Sequence, residues 1–280
     1  MGKIVSLDIG GTNTRVALVN EKHEIESIHV APTVVGNVEL FLASVKKDIE
    51  DALTSWNDVK AIAVGVPGRV RYDGFIYALP NIHVDNIPLA PYLFTAFHIP
   101  AFVINDAEAA SLAEANVGKF KSCHSVYFVT ISTGIGGALC VDGKLRGSSY
   151  EVGHTMTEYR GQIHEFEHLA SGSGIVRLCD QNGFSVASSR EFFQLVRNGH
   201  EAAEGIYRDW IRLMADWLEM NQRNFQPDVF TITGGVAKNS GLFLPDLRKA
   251  APDCRLELCS CGEQAGLIGA AVLGFQKTKG

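Results

Sequence analysis

The chain lacks any uncharged apolar run near the about 18 residues that a membrane span needs; even 102–117 is broken by Asn105, Asp106, Glu108 and Glu114. A soluble protein with no membrane partner is expected. It also lacks a block of basic residues: 25 Lys and Arg against 31 Asp and Glu give a net charge of -6, which repels a phosphate backbone. Nucleic acid is therefore not an expected partner. The opening residues run into strand-like sequence without the charged, apolar and small-residue succession of a secretory signal. Six cysteines in so long a chain suit reduced thiols better than a disulfide framework, which points to the cytoplasm. Cys254, Cys259 and Cys261 lack a fourth ligand at zinc-finger spacing and read as core or surface thiols.

Apolar side chain is ample. Hydrophobic residues make up 46% and charged residues 20%, so the chain folds, and 280 residues exceed the roughly 250 at which one core stops growing. Two domains are expected. Residues 3–9, 15–20 and 25–30 read as a β-meander, 38–53 as an amphipathic helix and AIAVGV as a buried strand. A strand over 99–104 meets an alanine-rich helix over 106–116. The second half repeats this order: strands at 125–132 and 136–141, helices through much of 169–225, a strand at 229–233, a short helix, a strand at 255–258 and a last helix. In that half Ile206, Trp210, Leu213, Met214, Trp217 and Leu218 form one apolar helical stripe. The expected division is 1–115, completed by the C-terminal helix 263–280, and a larger α/β domain over 116–262.

Three glycine-rich turns carry the chemistry. LDIGGTNTR and ISTGIGG each join two strands, and ITGGVAKNSG joins a strand to a helix. Glycine permits close backbone approach, so exposed N–H groups and hydroxyls can cradle phosphate oxygens. None of the three is a GxxxxGK[ST] P-loop or a GxGxxG ahead of a helix. Asp8, at the strand end before the first turn, suits Mg²⁺, held directly or through water. Asp106 follows Asn105 at a strand-to-helix junction, where a carboxylate can accept a hydroxyl proton during phosphoryl transfer; the lesser alternative is a helix N-cap.

Residues 150–172 gather four glutamates and three histidines, groups able to bond a ring of hydroxyls. His164, Glu165 and His168 also spell HExxH, a zinc-protease motif that requires one helix to span both histidines.

Taken in order, these segments resemble the ROK family (repressor, open reading frame, kinase) within the actin, Hsp70 and hexokinase superfamily. LDIGGTNTR is similar to its first phosphate motif, GVPGRV and PNIHVDNIPL to its sugar-side segments, and INDAEAASLAE to its catalytic segment. ISTGIGG is similar to its second phosphate motif and ITGGVA to its adenosine motif. The resemblance implies an α/β, two-domain actin-like ATPase (ribonuclease H-like) fold with an interdomain cleft. It implies an ATP- and Mg²⁺-dependent kinase acting on the 6-hydroxyl of a glucose-like hexose. The alternatives are an N-acetylmannosamine kinase and, in another class, a sugar-sensing regulator. By this likeness Asp106 is the catalytic base, and Asn105, Glu151, His154 and Glu167 bind sugar hydroxyls with Gly68 nearby. Asp8, Gly10, Gly11, Thr12, Thr133 and Gly134 surround Mg²⁺ and the phosphates, Gly234 and Gly235 the adenosine. A homodimer is implied as well. The family's repressors carry an N-terminal helix-turn-helix, for which a phosphate-type turn starting by residue 8 leaves no room.

One departure stands out. After the EVGH histidine the family commonly carries CxCGxxGCxE, whose cysteines hold a structural zinc, and here Glu158, Arg160 and Glu165 occupy those places. No structural zinc is expected. Polar contacts involving Arg160 and a neighbouring glutamate are expected to hold His154 and Glu167 instead. The stretch from Gly147 to Glu151, where sugar specificity is read, also looks shortened.

Overall fold

The computed structural model describes residues 2–53, 55–146 and 151–279, so most of the shortened stretch, 147–150, lies outside the described residues. The chain divides into two compact units: 1–122 with 143–145 and 260–280, and 123–142 with 146–259.

In the first unit β1 (Lys3–Ile9), β2 (Asn13–Asn20) and β3 (Ile25–Pro32) form the meander. Then follow α1 (Val38–Ala52), β4 (Val59–Val66), β5 (Arg69–Val70), β6 (Ile76–Leu79), β7 (Val84–Ile87), α2 (Leu89–Phe97), β8 (Ala101–Asn105) and α3 (Asp106–Asn116). The main sheet runs β3-β2-β1-β4-β8, antiparallel through the meander and parallel from β1 to β8. β1 and β4 are buried almost end to end, as strands covered on both faces must be. β5, β6 and β7 make a separate three-stranded sheet that shows no periodicity in sequence, because its strands are only two to four residues long.

In the second unit β9 (Ser125–Ile131) and β10 (Ile135–Val141) form a hairpin. The short β11 (Lys144–Leu145) belongs to the first unit, and β12 (Met156–Tyr159) and β13 (Gln162–Glu165) form a second hairpin. Helices α4 (Phe166–Ala170), α5 (Gly172–Gln181), α6 (Ser189–Arg197) and α7 (Glu201–Phe225) precede β14 (Val229–Thr233), α8 (Ser240–Ala250) and β15 (Leu256–Leu258). Strands run in the order β10-β9-β14-β15, antiparallel then parallel, repeating the pattern of the first unit. The apolar stripe of α7 is core: Trp217 stacks on Phe166 with ring centroids 4.9 Å apart, and Trp210 Nε1 donates to Ala170 O at 2.9 Å. These two contacts pin α4 at both ends.

The chain returns to the first unit as α9 (Ala265–Thr278), which packs along α3 and against β1 and β4. Glycine makes this approach possible, since a Cβ on Gly269 would fall 1.6 Å from the Ala109 carbonyl oxygen. Buried Glu114 of α3 ties down the entry to α9, accepting from the backbone N–H of Ser260, from Ser260 Oγ at 2.9 Å and from Cys261 N–H at 2.7 Å. Among the described residues no helix is long and apolar enough to cross a membrane.

Candidate active site

In the first unit two carboxylates end up near the same edge of the sheet. Asp8 lies next to the last residue of β1, and the turn after it is held by Gly10 N–H donating to Asn13 O at 2.9 Å and Thr33 Oγ1 donating to Gly10 O at 2.8 Å. Gly11 and Thr12 are exposed at its tip. Burial raises the Asp8 carboxyl above its ordinary range, and the Arg15 guanidinium, 4.0 Å away, pulls it the other way.

Asp106 is the first residue of α3, and the cap belongs to its neighbour. Asn105 Oδ1 accepts from the N–H groups of Ala107 (2.9 Å) and Glu108 (3.3 Å), while its Nδ2 donates to Gly68 O at 3.1 Å. Gly68 itself lies so close to β6 that a Cβ would come 2.2 Å from Ala78 O. With the cap supplied by Asn105, the Asp106 side chain stays exposed, its Oδ1 accepting from Ala107 N–H at 2.8 Å. Protein crowding around this carboxylate thins the water that would solvate its charge, and with the negative charges of Asp8 and Glu108 it pushes the group up to about 6. Solvent reaching the side chain screens those two charges, so the crowding is the main cause.

In the second unit the turn 132–134 is wired to its surroundings through the backbone. Gly172 N–H donates to Ser132 O at 2.7 Å, Ser173 N–H to Thr133 O at 3.4 Å and Gly235 N–H to Ser132 Oγ at 3.3 Å. Gly234 adopts φ +98°, and a Cβ there would meet Ile131 O at 2.3 Å, so this junction admits only glycine. Together these turns line a cavity of about 390 Å³ with Thr133, Ser173, Ser188, Ser189 and Gly235 on its wall. The capping serines of α5 and α6, Ser171 and Ser188, accept from Gly174 N–H (3.0 Å) and Glu191 N–H (3.3 Å).

Residues 151–170 form a 3₁₀ turn over Val152–His154, the β12–β13 hairpin and α4. Arg160 (φ 52°) and Gly161 (φ 76°) fill a two-residue turn with both φ positive, so Tyr159 pairs with Gln162 and Met156 with Glu165. This register brings Glu165 beside the 3₁₀ turn. Its Oε2 lies 3.0 Å from His154 Nδ1 and 3.3 Å from His168 Nε2. Ligand atoms of His154, Glu165 and Glu167 all fall within 4.8 Å of one another. Glu151 is exposed just ahead of the turn. The expected contact through Arg160 is corrected: Arg160 sits at the hairpin tip, about 10 Å of strand from Glu165, and pairs with Asp209 at 3.4 Å. The HExxH reading fails for a related reason: His164 is on β13 and His168 on α4, so no single helix carries both.

A model of the ROK family matches residues 4–277. The chain belongs to the ROK family. Glucokinase from Streptomyces coelicolor is 27% identical over 98% of each chain. The structure of a ROK hexokinase from Thermus thermophilus superposes with a TM-score of 0.88 at 29% identity, covering 99% of both chains. That of a ROK glucokinase from Streptomyces griseus in complex with glucose and AMPPNP gives 0.73 at 26%, covering 98% of this chain and 100% of the other. The fold is thus the actin-like ATPase fold, and at the level of the family the likeness is to sugar kinases.

Sequence reasoning passed over three features of this ROK site. Glu165 reads in sequence as part of HExxH and as an occupant of a missing cysteine's place, and its two histidine contacts depend on hairpin register. Ser188 had a usable signal, an N-cap serine followed three residues later by Glu191. Gly266 had none, because its neighbour Asp8 is far away in sequence.

Proposed function

We propose that this ROK protein transfers the terminal phosphoryl group of ATP to the 6-hydroxyl of a hexose such as glucose, with Asp106 as general base. The observation that carries the reading is Asp106 itself, an exposed carboxylate that is not the N-cap of α3 and is pushed up to about 6. It is ionised at neutral pH and more basic than an ordinary aspartate, as proton abstraction from an alcohol requires. Asp106 takes the hydroxyl proton, the sugar oxygen attacks the γ-phosphorus, and the bond to the β–γ bridging oxygen breaks to release ADP. Asn105, Glu151, His154 and Glu167 hold the sugar hydroxyls, with the Gly68 segment nearby. With Nδ1 turned to Glu165, His154 keeps Nε2 for a hydroxyl donor. Gly10, Gly11, Thr12, Thr133 and Gly134 cradle the phosphates, and Gly234 and Gly235 border the adenosine, Gly235 from the wall of the 390 Å³ cavity.

Asp8 offers a hard oxygen donor of the kind Mg²⁺ prefers, partly shielded and with Arg15 as a counter-charge. Mg²⁺ held there with the nucleotide would offset phosphate charge. Glu165, standing in a thiolate's place and touching His154, supports a site organised without structural zinc. ATP consumption measured across glucose, mannose, fructose, allose and their N-acetylamino forms tests the reading. Turnover with a hexose supports it, turnover confined to N-acetylmannosamine moves the substrate to that alternative, and none with any sugar leaves a sensor.

A further inference from the structure

We propose that Gly266 is a positioning residue that sets the direction of the Asp8 carboxylate, an inference that rests on the kinase reading above. A Cβ on Gly266 would lie 2.8 Å from Asp8 Cγ, 2.9 Å from Oδ1 and 3.0 Å from Oδ2, so the whole carboxylate group rests on the glycine's bare Cα. The seat is itself fixed. Ser6 Oγ donates to Leu267 O at 2.5 Å, and Arg15 Nη1 donates to Glu263 O at 2.9 Å, which ties the start of α9 to β1 and β2. Asp8 pairs with Arg15 on one side and Gly65 on the other, so its backbone cannot retreat, and a Cβ on Gly65 would lie 4.0 Å from Gly266 O.

These constraints leave one relief for a methyl group at 266. Alanine is the better helix former and leaves α9 intact, by up to about 1 kcal/mol over glycine. The Asp8 side chain, with two torsions, must turn away. Gly269 differs, because there the obstacle is the α3 backbone. Gly266→Ala therefore alters where the carboxylate points and what it can hold, while the sheet and helix stay in place.

The test measures Mn²⁺ binding in the presence of AMPPNP by electron paramagnetic resonance, together with glucose binding and thermal midpoint. It uses wild type, Gly266→Ala, Asp8→Ala and the double variant. Gly266→Ala is expected to weaken Mn²⁺ about tenfold, to leave glucose affinity within about twofold and not to lower the midpoint. In the Asp8→Ala background the same substitution is expected to cost nothing further. Unchanged Mn²⁺ binding in Gly266→Ala, or an equal loss without the Asp8 carboxylate, overturns the inference alone. Should Gly266→Ala not fold, folding of the double variant supports the clash and its failure overturns it. Wild type that binds no Mn²⁺ with AMPPNP overturns the kinase reading and the inference with it.

Discussion

The Glu167 carboxylate is seated on Gly134. A Cβ at 134 would meet Oε2 at 2.6 Å, and the next residue, Ile135, donates its N–H to that oxygen at 3.1 Å. Gly153 closes the other side, its Cβ position 2.7 Å from the same oxygen. The proposed phosphate turn and a proposed sugar ligand thus share one group. Gly134→Ala is expected to raise KM for both sugar and ATP by about tenfold. Steady-state kinetics with each substrate varied checks this, and an effect on ATP alone would contradict the coupling.

Turnover should rise with pH through about 6 as Asp106 loses its proton. Removing the Asp8 charge in Asp8→Asn removes one cause of the upward shift, so the acidic limb moves to lower pH. Stability runs the opposite way. A carboxyl held above its unfolded value of 3.8 binds its proton more tightly in the folded state, so ionisation destabilises the fold as pH climbs through about 6. Asp106→Asn should raise the thermal midpoint at pH 7.5 and gain nearly nothing by pH 4; a gain independent of pH refutes this.

Glu165→Gln should raise KM for the sugar about tenfold with kcat little changed, because it loosens His154 without touching Asp106. Glu165→Asp should restore part of the loss. Metal analysis of the purified protein should find no stoichiometric zinc, and a chelator should leave its thermal midpoint in place.

Glu114→Ala removes the acceptor for two half-buried N–H groups and a hydroxyl, and should cost about 2 kcal/mol in a denaturant titration. Glu114→Gln, which keeps an acceptor there, should cost less. Equal stabilities would mean that the contact with 260–261 contributes nothing.

The β1–β3 meander, the β9–β10 hairpin, the parallel strands after them and the stripe of α7 were legible because their apolar periods are long enough to count. β5 to β7 were not, being too short, and α2 hid behind Pro91 and an apolar surface on nearly all sides. The β12–β13 hairpin was concealed by its Arg160–Gly161 turn, where a non-glycine residue takes a left-handed conformation. Asp106 and Asn105 could be paired from sequence, yet which of them caps α3 depended on backbone angles. Contacts that join distant segments, Glu165 with His154 or Gly266 with Asp8, exist only once register and packing are fixed.

The most direct test is phosphoryl transfer by Asp106→Asn alongside sugar binding by the same variant. Turnover is expected to fall by at least about a thousandfold while sugar affinity stays within a few-fold of wild type. Turnover near that of wild type would contradict the assignment of Asp106 as the base.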